Sequence, residues 1–153
     1  MDHERWLREA LKLADEAAAV GEIPVGCVIV RDGEIIGRGR NRREEDRSAL
    51  AHAEILAIRE ACGALGDWRL TDCGLYVTLE PCAMCAGAIL NARLNYICFG
   101  AREARTGACG SVIDLFSEDF GYKPKVYAGI LKDECTERLQ RFFAGLRENG
   151  DTE

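Results

Sequence analysis

The sequence predicts a mixed α/β domain, and three observations carry that reading. Apolar residues recur at helical spacing in some segments and gather into short β-rich runs in others, the two kinds interleave along the chain, and no linker or internal repeat divides it. At 153 residues the chain has the usual size of one domain, able to bury roughly two thirds of its unfolded surface in a single core.

Trp6, Leu7, Ala10, Leu11, Ala14 and Ala18 follow the 3.6-residue period and predict an opening amphipathic helix that stops at Gly21, ahead of Pro24. Residues 25–30 and 34–38 are β-rich runs on either side of Arg31-Asp32-Gly33, which predicts a hairpin closed by an Asp-Gly turn. A helix is expected over 52–63, a buried strand over 75–79, a helix over 83–92 and a strand over 96–99. A loop rich in glycine (Gly100, Gly107, Gly110) leads to a strand over 126–128, and Cys135, Leu139, Phe142, Phe143 and Leu146 mark a final amphipathic helix. Residues 1–148 are expected to form the one domain, with 149–153 fraying.

The composition, 48% hydrophobic and 30% charged, fits a globular chain and excludes extended disorder. No apolar run approaches the roughly 18 residues needed to cross a bilayer, and the opening Met1-Asp-His-Glu-Arg-Trp6 has no apolar signal region, so no membrane partner and a cytoplasmic location are expected. Eight cysteines in such a chain, several within apolar runs as Cys27 and Cys98 are, read as reduced thiols rather than a disulfide framework. The formal charge of −6 divides into −3 over residues 1–22 and −3 over 133–153, leaving a neutral middle. Within it Arg38, Arg40, Arg42, Arg43 and Arg47 alternate with Glu44, Glu45 and Asp46; a phosphate-binding patch and a solvated charged loop both fit that stretch.

Chemistry concentrates in two short segments. Cys82-Ala-Met-Cys85 has the spacing of a zinc half-site, and Pro81 suits the first position of a helix that would hold both sulfurs in its first turn. Unpaired N–H groups and the helix dipole favour thiolate there, the form a metal needs. The pattern also serves redox motifs and structural zinc sites, so the remaining ligands decide. Only His3 and His52 are available as histidines. His3 lies in a stretch expected to be mobile, whereas His52 opens the helix of Ala51-His-Ala-Glu54 and is the natural third ligand. Residues two apart face different directions within a helix, so His52 and Glu54 can share a site only at its irregular first turn. Three ligands leave zinc one position for water, which Glu54 is placed to deprotonate.

His-x-Glu followed by Pro-Cys-x-x-Cys is the signature of zinc-dependent nucleobase deaminases. The chain resembles the bacterial tRNA adenosine deaminases over nearly its whole length, through Glu22-Ile-Pro-Val-Gly26, Gly39-Arg-Asn41, Ala51-His-Ala-Glu54, Thr78-Leu-Glu-Pro-Cys-Ala-Met-Cys-Ala-Gly-Ala88, Phe99-Gly-Ala-Arg102, Thr106-Gly107 and Phe142-Phe143. That resemblance implies a three-layer cytidine deaminase-like fold with a five-stranded mixed sheet between helices, its last two strands parallel. It further implies a homodimer carrying one Zn2+ per subunit, and a tRNA anticodon loop, of an arginine tRNA, as substrate for adenosine-to-inosine conversion at the wobble position. By the same resemblance Asn41 touches the target base, Glu80 and Pro81 lie near the pocket wall, and Arg102, Glu103, Arg105, Phe143 and Arg147 touch the anticodon loop. Of the two adjacent phenylalanines, at least one is expected in the core.

The chain departs from the family pattern at Glu103 (usually aspartate), at Arg105 (often lysine), at Gly121-Tyr122 (usually Asn-His), in Arg47-Ser-Ala-Leu50, and in an acidic final helix. These positions are expected on the tRNA-facing surface, and none belongs to the metal set. Two other readings stay open at this point. A deaminase of a free guanine or cytosine base shares the chemistry and fits the acidic balance. A non-catalytic zinc-stabilised RNA-binding module would close the coordination sphere with Cys73 or Cys109.

Overall fold

In β1 (Gly26–Arg31) successive side chains point to opposite sides of the sheet, and the strand is apolar on both. Cys27 and Ile29 join one core and Val28 and Val30 another, so a continuous apolar run marks this strand in the sequence. The computed structural model describes residues 2–148, and the expected fraying of 149–153 lies outside them. It adds β2 (Glu34–Arg40), β3 (Gly74–Leu79), β4 (Tyr96–Ala101) and β5 (Lys125–Ala128) in the order β2-β1-β3-β4-β5. β1 is antiparallel to β2 and β3, whereas β3, β4 and β5 run parallel, so the mixed five-stranded sheet and its parallel last pair are as expected.

Helices cover both faces. α2 (Ala53–Leu65) and α3 (Ala83–Ala92) bury Ala53, Ala57, Ala61, Ala86 and Ile89 on the Cys27 side. On the other side α1 (His3–Ala19) buries Trp6, Leu7 and Ala10 against Val28, Tyr76 and Cys98, and α4 (Lys132–Glu148) adds Cys135 beside Leu11 and Ala101. Each wholly buried aliphatic chain such as Leu7 or Ile29 contributes about 1.5–3 kcal/mol, which is why layers rather than individual helix propensities hold this fold.

Local chemistry sets the element ends. The Asp2 side chain accepts from the Arg5 N–H and caps α1, a contact worth about 1 kcal/mol. At the other end the Gly21 N–H donates to the Ala18 carbonyl and the Glu22 N–H to that of Ala17, a Schellman stop where the sequence predicts one. Asp32 and Gly33 both take positive φ (52° and 75°), giving the two-residue type I′ turn of the expected hairpin. Gly39 serves close packing instead: a Cβ there would lie 2.2 Å from the Ala53 carbonyl oxygen, so only glycine lets the first turn of α2 rest on β2.

Three expectations are corrected. Pro81 is not the first helical residue: Cys82 is the N-cap of α3, so Pro81 lies one residue outside it. His3 is not loosely held, because its Nδ1 lies 2.9 Å from the Tyr76 hydroxyl and its ring 4.8 Å from that of Tyr127. Gly121-Tyr122 does not face the site end of the sheet: Tyr122 packs against the core and its hydroxyl donates to the Leu94 carbonyl just before β4. None of the eight cysteines is in a disulfide, as expected, and all but Cys62 and Cys82 are buried.

Candidate metal centre and active site

The parallel pair β3–β4 is joined by α3, and the C-terminal ends of such strands are where open α/β sheets bind ligands. Here two helix N-termini converge on that edge. His52, in extended backbone (φ −84°, ψ 152°), is the N-cap of α2, and Cys82 (φ −77°, ψ 179°) is the N-cap of α3. Because His52 stands outside the helix and Glu54 inside its first turn, the two side chains reach one site despite their i, i+2 spacing. The His52 side chain makes no capping bond to its own helix, which leaves it for the two sulfurs at the start of α3.

The His52 Nδ1 lies 3.7 Å from the Cys82 Sγ and 3.6 Å from the Cys85 Sγ, and the three atoms all fall within 4.8 Å of one another. Zn–S bonds of about 2.3 Å and Zn–N bonds of about 2.0–2.1 Å at tetrahedral angles require S···N edges of about 3.6 Å, so the donor set fits zinc in size and chemistry. Among the described residues this is the metal-binding group that forms, and neither Cys73 nor Cys109 joins it. Cys73 sits just before β3 at the far end of the sheet, and the Cys109 N–H is turned to Glu80.

Electrostatics prepare the ligands. A hydrogen bond from the Cys85 thiol brings Cys82 down to about 4 against the cost of burial, with His52 and the Cys85 backbone N–H assisting. His52 is raised by its bond to Cys82, while Cys85 is pushed far up by its bond to the Cys82 thiolate and by burial. Glu54, 4% exposed, is pushed up to about 7 by burial, the Cys82 thiolate adding to the shift and His52 opposing it. A carboxyl poised near neutrality suits proton transfer in both directions.

These groups open into a cavity of about 230 Å³, below the roughly 300–1,000 Å³ of drug-sized sites and matched to one base-sized group. Of the residues singled out in the sequence, His52, Glu54, Cys82, Asn41, Glu80, Arg102, Glu103 and Phe143 line it. Cys85 is buried beside His52 and, like Pro81, Arg105 and Arg147, lies outside the lining. Asn41 donates to the Ile23 carbonyl (3.4 Å) and accepts from the Arg43 N–H (3.0 Å), so its amide is held in one orientation. Phe143 is 40% exposed at the rim, whereas Phe142 is half-buried and meets it edge-on at 5.5 Å, so neither is wholly in the core.

Sequence reasoning missed Arg43 and Thr106 as lining residues. The basic stretch was a signal for the first: Arg40 pairs with Glu45 at 2.5 Å and Arg42 with Asp46 at 3.1 Å, while Arg43, 4.0 Å from Glu44, is the arginine of the turn that lines the pocket. Ion pairing therefore consumes part of what composition offered as a phosphate patch. Thr106 lies in one of the segments that carry the family resemblance, but its place in the wall depends on how its loop folds back.

The chain matches the MafB19-like deaminase family over residues 1–134. It is 46% identical to the tRNA-specific adenosine deaminase of Bacillus subtilis over 146 residues, 95% of this chain and 91% of that one. A solved tRNA:A34 deaminase, from structural studies of A-to-I editing at the tRNA wobble position, superposes with a TM-score of 0.85 at 43% identity, covering 88% of this chain and 99% of the other. The solved guanine deaminase of Bacillus subtilis matches less well, with a TM-score of 0.65 at 34% identity over 96% of this chain and 95% of its own. A ligand triad of deaminase spacing, a buried glutamate beside it and near full-length identity to one group of enzymes converge: the chain is a deaminase and belongs to the tRNA-specific adenosine deaminase family.

Proposed function

We propose that the protein hydrolyses the 6-amino group of adenosine at the wobble position (34) of a tRNA anticodon, giving inosine and ammonia. The observation that carries this reading is the 46% identity over 95% of the chain, joined to a pocket in which His52, Cys82 and Glu54 meet Asn41. His52, Cys82 and Cys85 would hold one zinc ion per subunit. Bound zinc supplies water that ionises near pH 7 instead of near 16. Glu54 would carry one proton of the attacking water to the ring nitrogen and then the second, from the hydroxyl so formed on the ring carbon, to the departing amine, which leaves as ammonia.

Asn41 has a second amide hydrogen and a second lone pair beyond those given to Ile23 and Arg43, and these orient the base. Arg102, Glu103 and Phe143 at the rim meet the flanking nucleotides, with the exposed Arg105 and Arg147 further out for backbone phosphates. An anticodon loop suits such a pocket because its bases are single stranded and can be splayed out at low unstacking cost. No helix among the described residues is long and apolar enough to cross a membrane, and a tRNA substrate supports a cytoplasmic location. We further assign the 1–148 span as one deaminase domain acting as a homodimer, the latter from the family resemblance and checked by light scattering.

The test is inosine formation, read by nucleoside mass spectrometry, on an arginine tRNA anticodon stem-loop with adenosine at the wobble position. Inosine from the zinc-loaded protein, absent with Glu54→Ala, is expected. Turnover of free guanine or cytosine in place of the stem-loop would instead favour the reading that the guanine deaminase likeness supports.

A further inference from the structure

Two buried carboxylates, Glu22 and Glu80, are not used by the chemistry above, and each holds one wall of the pocket. Glu22, 2% exposed, accepts from the backbone N–H of Glu44 (3.3 Å) and of Glu45 (2.7 Å). That pins the turn after β2 from which Asn41 and Arg43 enter the pocket. Glu80, 3% exposed, accepts from the N–H groups of Glu103 (3.1 Å), Cys109 (3.0 Å) and Ser111 (3.1 Å), and from the Ser111 hydroxyl. Those bonds fold the segment after β4 back on itself and bring Arg102, Glu103 and Thr106 to the opposite wall.

The second loop is also stitched to the metal motif, since the Ala108 N–H donates to the Pro81 carbonyl and Gly107 forms a β-bridge with Cys82. A Cβ on Gly107 would stand 2.4 Å from the Glu80 Cδ and 2.5 Å from the Glu103 carbonyl oxygen, so the loop closes around the carboxylate itself. Burying a carboxylate is costly, and a neutral acceptor would do for one bond. What only a carboxylate provides is two oxygens, with about four lone pairs, that accept donors converging from several directions.

We propose that Glu22 and Glu80 are positioning residues that fix the two walls of the pocket, and thereby set affinity for the target base and its neighbours while leaving the chemical step alone. The statement about affinity rests on the tRNA reading above; the statement about the loops does not. In Glu22→Gln and Glu80→Gln an NH2 group replaces one acceptor oxygen and faces backbone donors.

The experiment compares these variants with the zinc-loaded parent by amide hydrogen exchange, zinc content and kinetics on the stem-loop. Glu80→Gln should speed exchange about tenfold or more over residues 103–111 and leave 44–47 unchanged, and Glu22→Gln should do the reverse. Each should keep one zinc per chain and raise KM about tenfold with kcat within about threefold. Unchanged exchange in the cognate loop, or a fall in kcat at constant KM, would overturn the proposal. Should Glu80→Gln fail to fold, Ser111→Ala removes a single donor to the same carboxylate and must show a smaller change of the same kind over 109–111, its absence counting against the proposal. If the parent itself makes no inosine, the tRNA reading falls while the exchange data still decide what holds the loops.

Discussion

The chain's two histidines sit on opposite faces of one sheet and near opposite ends of its parallel strands, and they are used differently. His52 meets two sulfurs at 3.6 and 3.7 Å beside a buried carboxyl, and its bond to Cys82 raises its pKa. His3 meets the Tyr76 hydroxyl and the rings of Tyr76, Tyr96 and Tyr127, and burial lowers its pKa. One end keeps its polar atoms for a ligand; the other satisfies them internally, Tyr76 and Tyr96 sharing a hydroxyl contact of 2.9 Å. The same residue type joins a metal-binding group or a packing cluster according to whether cysteine sulfurs and a helix N-terminus lie within reach.

The contrast is broken most severely by His52→Ala or Cys85→Ala. Either should lose bound zinc, measured by atomic absorption, and drop deamination to the uncatalysed background, whereas His3→Ala should keep both; a His52→Ala protein with full zinc would refute the ligand assignment. Next in size, Glu54→Gln should retain zinc and lower kcat about 10²–10⁴-fold, the range of a lost general acid–base group. A loss of less than tenfold would mean that Glu54 moves no proton in the slow step.

The metal-free protein sharpens the contrast through pH. Burial raises Glu54 from its ordinary 4.5 to about 7, so the folded state holds a proton that the unfolded state has released between those values. The resulting stability is fully present below pH 4.5 and lost as pH rises through 7. Relative to metal-free Glu54→Gln, which shares the opposing contribution of Cys82, the parent should lose on the order of 3 kcal/mol across that window in urea titrations. Parallel stability profiles for the two proteins would show that Glu54 is solvated. The smallest effect belongs to the other end: His3→Ala should cost about 1 kcal/mol, the worth of one hydrogen bond, with kcat and KM unchanged.

Much of this was written locally. Interleaved periods of 3.6 and 2 gave the element types, Asp32-Gly33 the hairpin turn, and Gly21 the end of α1, because each is settled by backbone geometry within a few residues. The grouping of His52, Cys82 and Cys85 was legible for the same reason: a Cys-x-x-Cys at a helix start fixes two sulfurs, and scarcity of histidine points to the third member. Helix boundaries were less so, and Pro81 shows why, since a residue just outside the N-cap and one just inside it look alike in sequence.

What only the tertiary structure decided depends on contacts between residues far apart in the chain. The placing of β1 between β2 and β3, the Arg43 and Thr106 walls, and the outward place of Arg105 all follow from how loops fold back on the sheet. So do the roles of three glutamates. Glu22, Glu54 and Glu80 are the same residue in the sequence, yet two hold loops through backbone donors 22 to 31 residues away, and one is buried beside His52, Cys82 and Cys85. Spacing along the chain determines which groups can meet at a helix start; desolvation and the donors that surround a carboxylate exist only once the layers have packed.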